Sequence, residues 1–177
     1  MRWLLVLGLA GLAACSSGAG TPRAERALPE PITVSSSAFP AGAAIPQRFT
    51  CDGDNRSPPL AWSGVPAGTV EIALVVDDPD APRGTYVHWV VVGLDPASTE
   101  LAEGAVPQGA RELRNSAGKV GYTGPCPPGG RAHHYRFTIY ALQRRAEVGA
   151  DASPEAAIEA IEAAATARGR LVGTFGR

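Results

Sequence analysis

The residues predict an all-β sandwich with one late helix. Glycine (21) and proline (16) are dense enough to favour loops and short strands over a helical bundle. Apolar runs rich in β-branched residues recur between turn-rich segments. Only one stretch carries a helix start, a helical apolar spacing and a helix stop. A length of 177 residues suits one domain with a tail, and 45% hydrophobic residues exclude wholesale disorder. A net charge of −1 excludes a globally basic, nucleic-acid-coating protein.

The elements follow in chain order. Ile32 to Ser35 and Gln47 to Phe49 are short candidate strands. Thr69 to Val76 is β-branched and ends in Asp77-Asp78, which predicts a central strand. Tyr86 to Leu94 is almost wholly apolar and so is expected to be buried on both faces. Tyr135 to Leu142 alternates, with Tyr135, Phe137 and Ile139 on one face and Arg136, Thr138 and Tyr140 on the other. Ser153 is an N-cap hydroxyl, with Pro154 at the first helical position and Glu155 in the first turn. The helix carries Ile158 and Ile161 on one face, runs to about Ala167 and can be closed by Gly169. Leu171 to Phe175 is a last short strand. Turn residues fill Cys51 to Pro59, Pro79 to Thr85 and Gly121 to Gly130.

The N-terminus reads as a targeting signal. Arg2 precedes an apolar run from Trp3 to Ala14, too short to span a bilayer as a helix of about 20 residues but suited to a signal-peptide core. Leu12-Ala13-Ala14-Cys15 resembles the bacterial lipoprotein cleavage box. The resemblance implies removal of residues 1–14, lipid on Cys15, and a polar tether over 15–31 ahead of a domain at 32–177. The protein is then expected to be exported and lipid-anchored to the cell envelope, on the outer membrane facing the periplasm in a Gram-negative cell. Lipidation of Cys15 leaves Cys51 and Cys126, which in an oxidising compartment form a disulfide or stay as two buried thiols.

Chemistry can live where polar residues break the apolar pattern. His88 lies inside the YVHWVVV run, where an ionisable ring is costly unless hydrogen-bonded, and parity groups it with Tyr86, Val90 and Val92. His133 shares parity with Tyr135 if the strand begins that early, whereas His134 turns to solvent. Two histidines and a tyrosine thus point one way from strands that can be neighbours. Asp78 and Asp80 sit at a strand end among prolines, and the glycine- and proline-rich Gly121–Gly130 loop leads towards His133. Each residue has a plainer reading: His88 as a bonded core histidine, the aspartates as turn caps, and Trp62 and Trp89 as core or wall aromatics.

The order Asp78-Pro79-Asp80-Ala81-Pro82, His88-Trp89, Gly121-Tyr122-Thr123-Gly124-Pro125-Cys126-Pro127-Pro128, His133-His134-Tyr135 resembles the phosphatidylethanolamine-binding protein family, in its bacterial Raf-kinase-inhibitor-like branch. The likeness includes Cys51 to Leu60 before Trp62 and the closing Leu171 to Arg177. It implies two antiparallel sheets with peripheral helices and a small cavity for phosphate, a phosphoryl head group or another anion. By that resemblance the ligand-binding positions are Asp78, Asp80, His88, Gly124, Pro125, His133 and Tyr135, with Trp89 as a wall residue. The family commonly has His-Arg-Tyr where this chain has His133-His134-Tyr135, so an arginine beside the cavity is lost.

These expectations describe a non-enzymatic module that needs no cofactor. Its partners are a small anionic or phosphorylated ligand and the membrane reached through the lipid. Three other readings stand beside it. One is a protease or kinase inhibitor acting through its surface. The second is a metal site built from His88, His133, Asp78 and Asp80, which are acceptable ligand types. The third is a hydrolase activating water, although no GxSxG elbow is present.

Overall fold

The computed structural model describes residues 26–177, so Cys15 and the expected leader lie outside the described residues. Eight strands form two antiparallel sheets. The strands are β1 (Thr33–Ser35), β2 (Leu60–Ser63), β3 (Glu71–Asp78), β4 (Tyr86–Leu94), β5 (Glu100–Leu101), β6 (Arg111–Glu112), β7 (His133–Leu142) and β8 (Ala165–Phe175). The small sheet has the order β1-β2-β5, and the large one β6-β4-β3-β7-β8. One helix, α1 (Pro154–Ala164), precedes β8.

The large sheet is buried on both faces, which is why β3 and β4 read as unbroken apolar runs. Ile72, Leu74, Val76, Trp89, Val91, Phe137 and Ile139 face the small sheet and pack with Val34, Leu60, Trp62 and Leu101. Ala73, Val75, Val90, Val92 and Leu142 face the opposite way, towards Ala157, Ile161 and Ala164 of α1. The Ser153 hydroxyl caps α1 by accepting from the Ala156 N–H at 3.2 Å.

Four elements differ from the sequence expectation. Gln47–Phe49 is a 3₁₀ turn, because after Pro46 the Phe49 and Thr50 N–H groups close back on Pro46 O and Gln47 O at 2.9 Å each. The strand expected from Thr69 begins at Glu71, since the Thr69 hydroxyl and N–H both close back on Pro66 O. The helix stops at Ala164 rather than Ala167: Ala165 already pairs with Leu142 and Ala167 with Ala141, so the chain gains strand partners at once. Gly169 therefore lies inside β8 against the Ile32 carbonyl and does not act as a helix stop.

The stretch read as a tether is docked where it is described. Arg168 N–H donates to Pro29 O at 2.9 Å, Arg26 Nη1 donates to Glu162 O at 2.8 Å, and Leu28 packs on the helix-side core. Among the described residues no helix is long and apolar enough to cross a membrane.

The close approach at Gly169 gives a stability test. A Cβ there would collide with the Ile32 carbonyl oxygen and carbon, backbone atoms that cannot swing aside. Gly169→Ala should lower unfolding stability by about 3 kcal/mol, the upper part of the usual overpacking range, read from urea unfolding. A change near zero would mean that β8 and the Ile32 segment do not meet this closely.

Candidate functional site

The site begins with an irregularity in β4. Val76 pairs with Trp89, but Asp77 pairs with Val87, so His88 is an extra residue opposite no partner. Simple alternation would place His88 with Val90 and Val92, on the helix side. The bulge instead turns it to the inter-sheet side, where its ring lies 5.3 Å from that of Tyr135 and 4.8 Å from that of Tyr86. The neighbouring strand ends alternate regularly. Asp77 and Arg136 form a two-bond ion pair on the helix side, while Asp78 and His133 meet on the inter-sheet side.

A cavity of about 140 Å³ opens here. Asp78, His88, Gly124 and His133 of the expected set line it, together with Ala81, Pro82, Tyr86, Thr123, Cys126, Pro127 and Pro128. Both histidines are buried and both commit Nδ1 to a fixed acceptor. His133 Nδ1 lies 2.7 Å from Asp78 Oδ2, and His88 Nδ1 lies 2.6 Å from the Thr123 carbonyl. A carbonyl accepts only, so His88 carries its proton on Nδ1 and its Nε2 is left as an acceptor. Asp78 is itself held by the Asp80 N–H, which donates to Oδ1 at 2.8 Å.

Burial pushes His88 below the ordinary histidine pKa; the Thr123 carbonyl and the charges of Asp78 and Asp77 oppose this without winning. Tyr135 is also buried, and burial followed by the charges of Asp78 and Asp80 pushes its hydroxyl up, so it stays a neutral donor. Its oxygen is the one buried side-chain polar atom without a hydrogen-bond partner among the described residues. Such an orphan is costly and calls for an explanation.

The remaining expected residues are placed otherwise. Asp80 does not line the cavity: its carboxylate accepts from the His134 N–H at 2.9 Å and from His134 Nδ1 at 2.7 Å, and Arg131 lies at 3.6 Å. The hydrogen bond from the His134 ring, then that from its backbone, holds the Asp80 carboxyl below the usual range. His134 is exposed. Gly124 lines the cavity, but its N–H is taken by Asn55 Oδ1 at 2.7 Å, and a Cβ there would meet Phe49 O at 2.5 Å. Loop packing therefore requires glycine at this position. Pro125 gives its carbonyl to the Cys51 N–H and is not on the wall, nor is Tyr135. Trp89 faces away from the cavity, donating to Glu112 Oε1 at 2.7 Å and stacking edge-on with Tyr122. Cys51 and Cys126 are joined by a disulfide. Among the described residues no three His, Cys, Asp or Glu side chains are grouped to hold a metal.

The wall residues absent from the expected set were within reach of the sequence. Ala81 and Pro82 belong to the DPDAP run, and Thr123, Cys126, Pro127 and Pro128 to the loop already singled out. No signal in the pattern says which loop residues turn inwards.

With two sheets, a strand-end cavity and this residue order in place, the chain belongs to the phosphatidylethanolamine-binding protein family, whose model matches residues 35–176. Solved relatives share the fold. YbcL of Escherichia coli, described as a new member of the mammalian family, superposes with a TM-score of 0.80 at 32% identity, covering 83% of this chain and 99% of its own. The homologue CT736 of Chlamydia trachomatis superposes at 0.76 with 36% identity, covering 82% and 97%. A relative from Mycobacterium tuberculosis named as a lipoprotein, LppC, is 51% identical over 147 residues, which is 82% of this chain and 73% of LppC.

His88 predicts a pH dependence of stability. The unfolded histidine titrates near 6.5, whereas the native ring is held neutral to lower pH. Between those two values the unfolded chain binds more protons, so stability present above about pH 6.5 is lost as the pH falls towards the native pKa. His88→Asn, which keeps a donor for Thr123 O, should flatten the slope of unfolding free energy against pH in that window. An unchanged slope would show that His88 is not held neutral by the fold.

Proposed function

We propose that the cavity binds a small anion or phosphoryl group that brings a proton of its own, and that the protein is a binding module rather than an enzyme. The observation that carries this reading is the pair of buried histidines with both Nδ1 atoms committed inwards. A neutral imidazole bonded through Nδ1–H presents a lone pair at Nε2. The cavity therefore asks for a donor from the ligand, and a hydrogen phosphate or phosphomonoester monoanion supplies P–O–H. Its remaining oxygens need donors in return. We assign that role to His133, which lines the cavity and in its imidazolium form beside Asp78 is a charge-assisted donor. Ala81, Pro82, Pro127 and Pro128 leave an apolar rim suited to a short organic substituent.

Binding is favoured over hydrolysis by the state of the lining residues. Thr123 Oγ1 accepts from Asn115 at 3.0 Å and Cys126 is in a disulfide, so neither is poised as a nucleophile. Membrane attachment is the second part of the proposal. The apolar run ending in Ala14-Cys15 supports lipid on Cys15, as does the lipoprotein name of LppC.

Calorimetry with inorganic phosphate tests the site. His133→Ala should weaken binding about tenfold or more, the worth of one charge-assisted hydrogen bond, while His134→Ala should leave it nearly unchanged. Equal losses from the two would contradict the assignment. Sulfate, which brings no proton near neutrality, should bind more tightly as the pH falls below about 6.5, where His88, held below the ordinary histidine value by burial, takes up its proton. A flat sulfate profile would remove the histidines from the site.

Cys15→Ala tests the anchor. The variant should no longer fractionate as a processed membrane protein, and if it still does, the lipid reading fails.

A further inference from the structure

We propose that the Cys51–Cys126 disulfide is a thiol-exchange site, with Cys51 as the sulfur attacked by a small thiol and Cys126 as the leaving thiolate, and that exchange loosens one wall of the cavity. Both cysteines are exposed, so a thiolate can reach them. The surroundings of the two sulfurs are of opposite charge. Arg177 Nη1 lies 3.7 Å from Cys126 Sγ, while Asp52 Oδ1 lies 3.7 Å from Cys51 Sγ. Arg177 Nε also meets Asp52 Oδ2 at 3.3 Å, which offsets the carboxylate that an incoming anion would face.

A cation beside a sulfur stabilises the thiolate, and the sulfur that leaves more readily is the one whose thiolate is more stable. The thiolate R–S⁻ attacks Cys51 Sγ, the bond between Cys51 and Cys126 breaks, and Cys126 Sγ departs with the electron pair towards Arg177. The products are the mixed disulfide R–S–S–Cys51 and the Cys126 thiolate. One disulfide replaces another, so no outside oxidant is required. A second thiol of the same class displaces the adduct and completes reduction.

The consequence for the cavity follows from where its loop is fastened. Up to Pro125 the loop is held by other bonds: Tyr122 Oη donates to Phe49 O at 2.8 Å, Gly124 N–H to Asn55, and Cys51 N–H to Pro125 O at 3.1 Å. Those bonds keep the Thr123 carbonyl on His88 whether or not the disulfide is intact. Beyond Pro125, Cys126 is fastened by the disulfide, and the next backbone tie is the Gly130 N–H to Arg177 O at 3.2 Å. Cutting the disulfide therefore frees the Cys126–Pro128 wall and spares the histidines. Any effect on ligand affinity rests on the anion-binding reading above, but the exchange itself does not.

The test uses the full chain with glutathione as the thiol, iodoacetamide to trap released thiols, and peptide mass spectrometry. The expected products are a glutathione adduct on Cys51 and an alkylated Cys126. Arg177→Ala should slow adduct formation about threefold and Arg177→Lys should keep the native rate, since the positive charge is retained. Hydrogen–deuterium exchange of the fully reduced chain should rise at the amides of Cys126, Gly129 and Gly130, since Pro127 and Pro128 carry none, and stay unchanged at 122–124. An adduct on Cys126, or on both cysteines equally, would overturn the assignment of the leaving sulfur. An Arg177→Ala rate equal to native would overturn the role of the guanidinium, and uniform exchange along the loop would overturn the loosening of the wall. If phosphate binds neither the oxidised nor the reduced chain, the anion-site reading fails and these three results still decide the exchange proposal.

Discussion

One extra residue in β4 organises the site. Without the bulge at His88, the alternation that buries Trp89 and Val91 between the sheets would send His88 to the helix side among Val90 and Val92. An ionisable ring would then sit in an apolar layer with no fixed acceptor. The bulge keeps Trp89 in the inter-sheet core and still turns His88 to the cavity, where the Thr123 carbonyl takes its Nδ1 proton. The same shift aligns Asp77 with Val87, so that Asp77 meets Arg136 behind the sheet while Asp78 meets His133 in front of it. Two adjacent aspartates thus serve opposite faces, and each buried charge is paired.

The electrostatics of the cavity follow from that placement. An isolated carboxylate beside an anion would repel it, but both Asp78 oxygens are engaged, one by His133 and the other by the Asp80 N–H. In the proposed site, what reaches a ligand is the far nitrogen of each imidazole. The wall is otherwise apolar, which strengthens any hydrogen bond made inside it.

Much of this was legible in the residues, and the failures have physical reasons. The runs that became β3, β4 and β7 were plain because they are long and apolar or alternating, and the Ser153-Pro154-Glu155 start of α1 was plain because capping is local chemistry. The two-residue strands β5 and β6 are too short to carry a period. Ala165–Ala167 continues a helical pattern and becomes strand only because β7 offers its edge, a tertiary effect that local propensity does not contain. Parity joined His133 to Tyr135 correctly, since β7 is regular there. It placed His88 with Val90 and Val92, and the bulge separates them. Asp80 and Gly124 were marked by their motifs, yet Asp80 turns to His134 and Gly124 spends its N–H on Asn55, choices set by neighbours distant in sequence.

In the proposed site both cavity histidines are oriented from within and meet the ligand through Nε2. Nitrogen-15 NMR of the imidazole side chains, with and without inorganic phosphate, tests it most directly. His88 near neutral pH should be the tautomer protonated at Nδ1, and phosphate should perturb chiefly the Nε2 resonances of His88 and His133. A His88 protonated at Nε2, or Nε2 resonances that do not respond to phosphate, would contradict it.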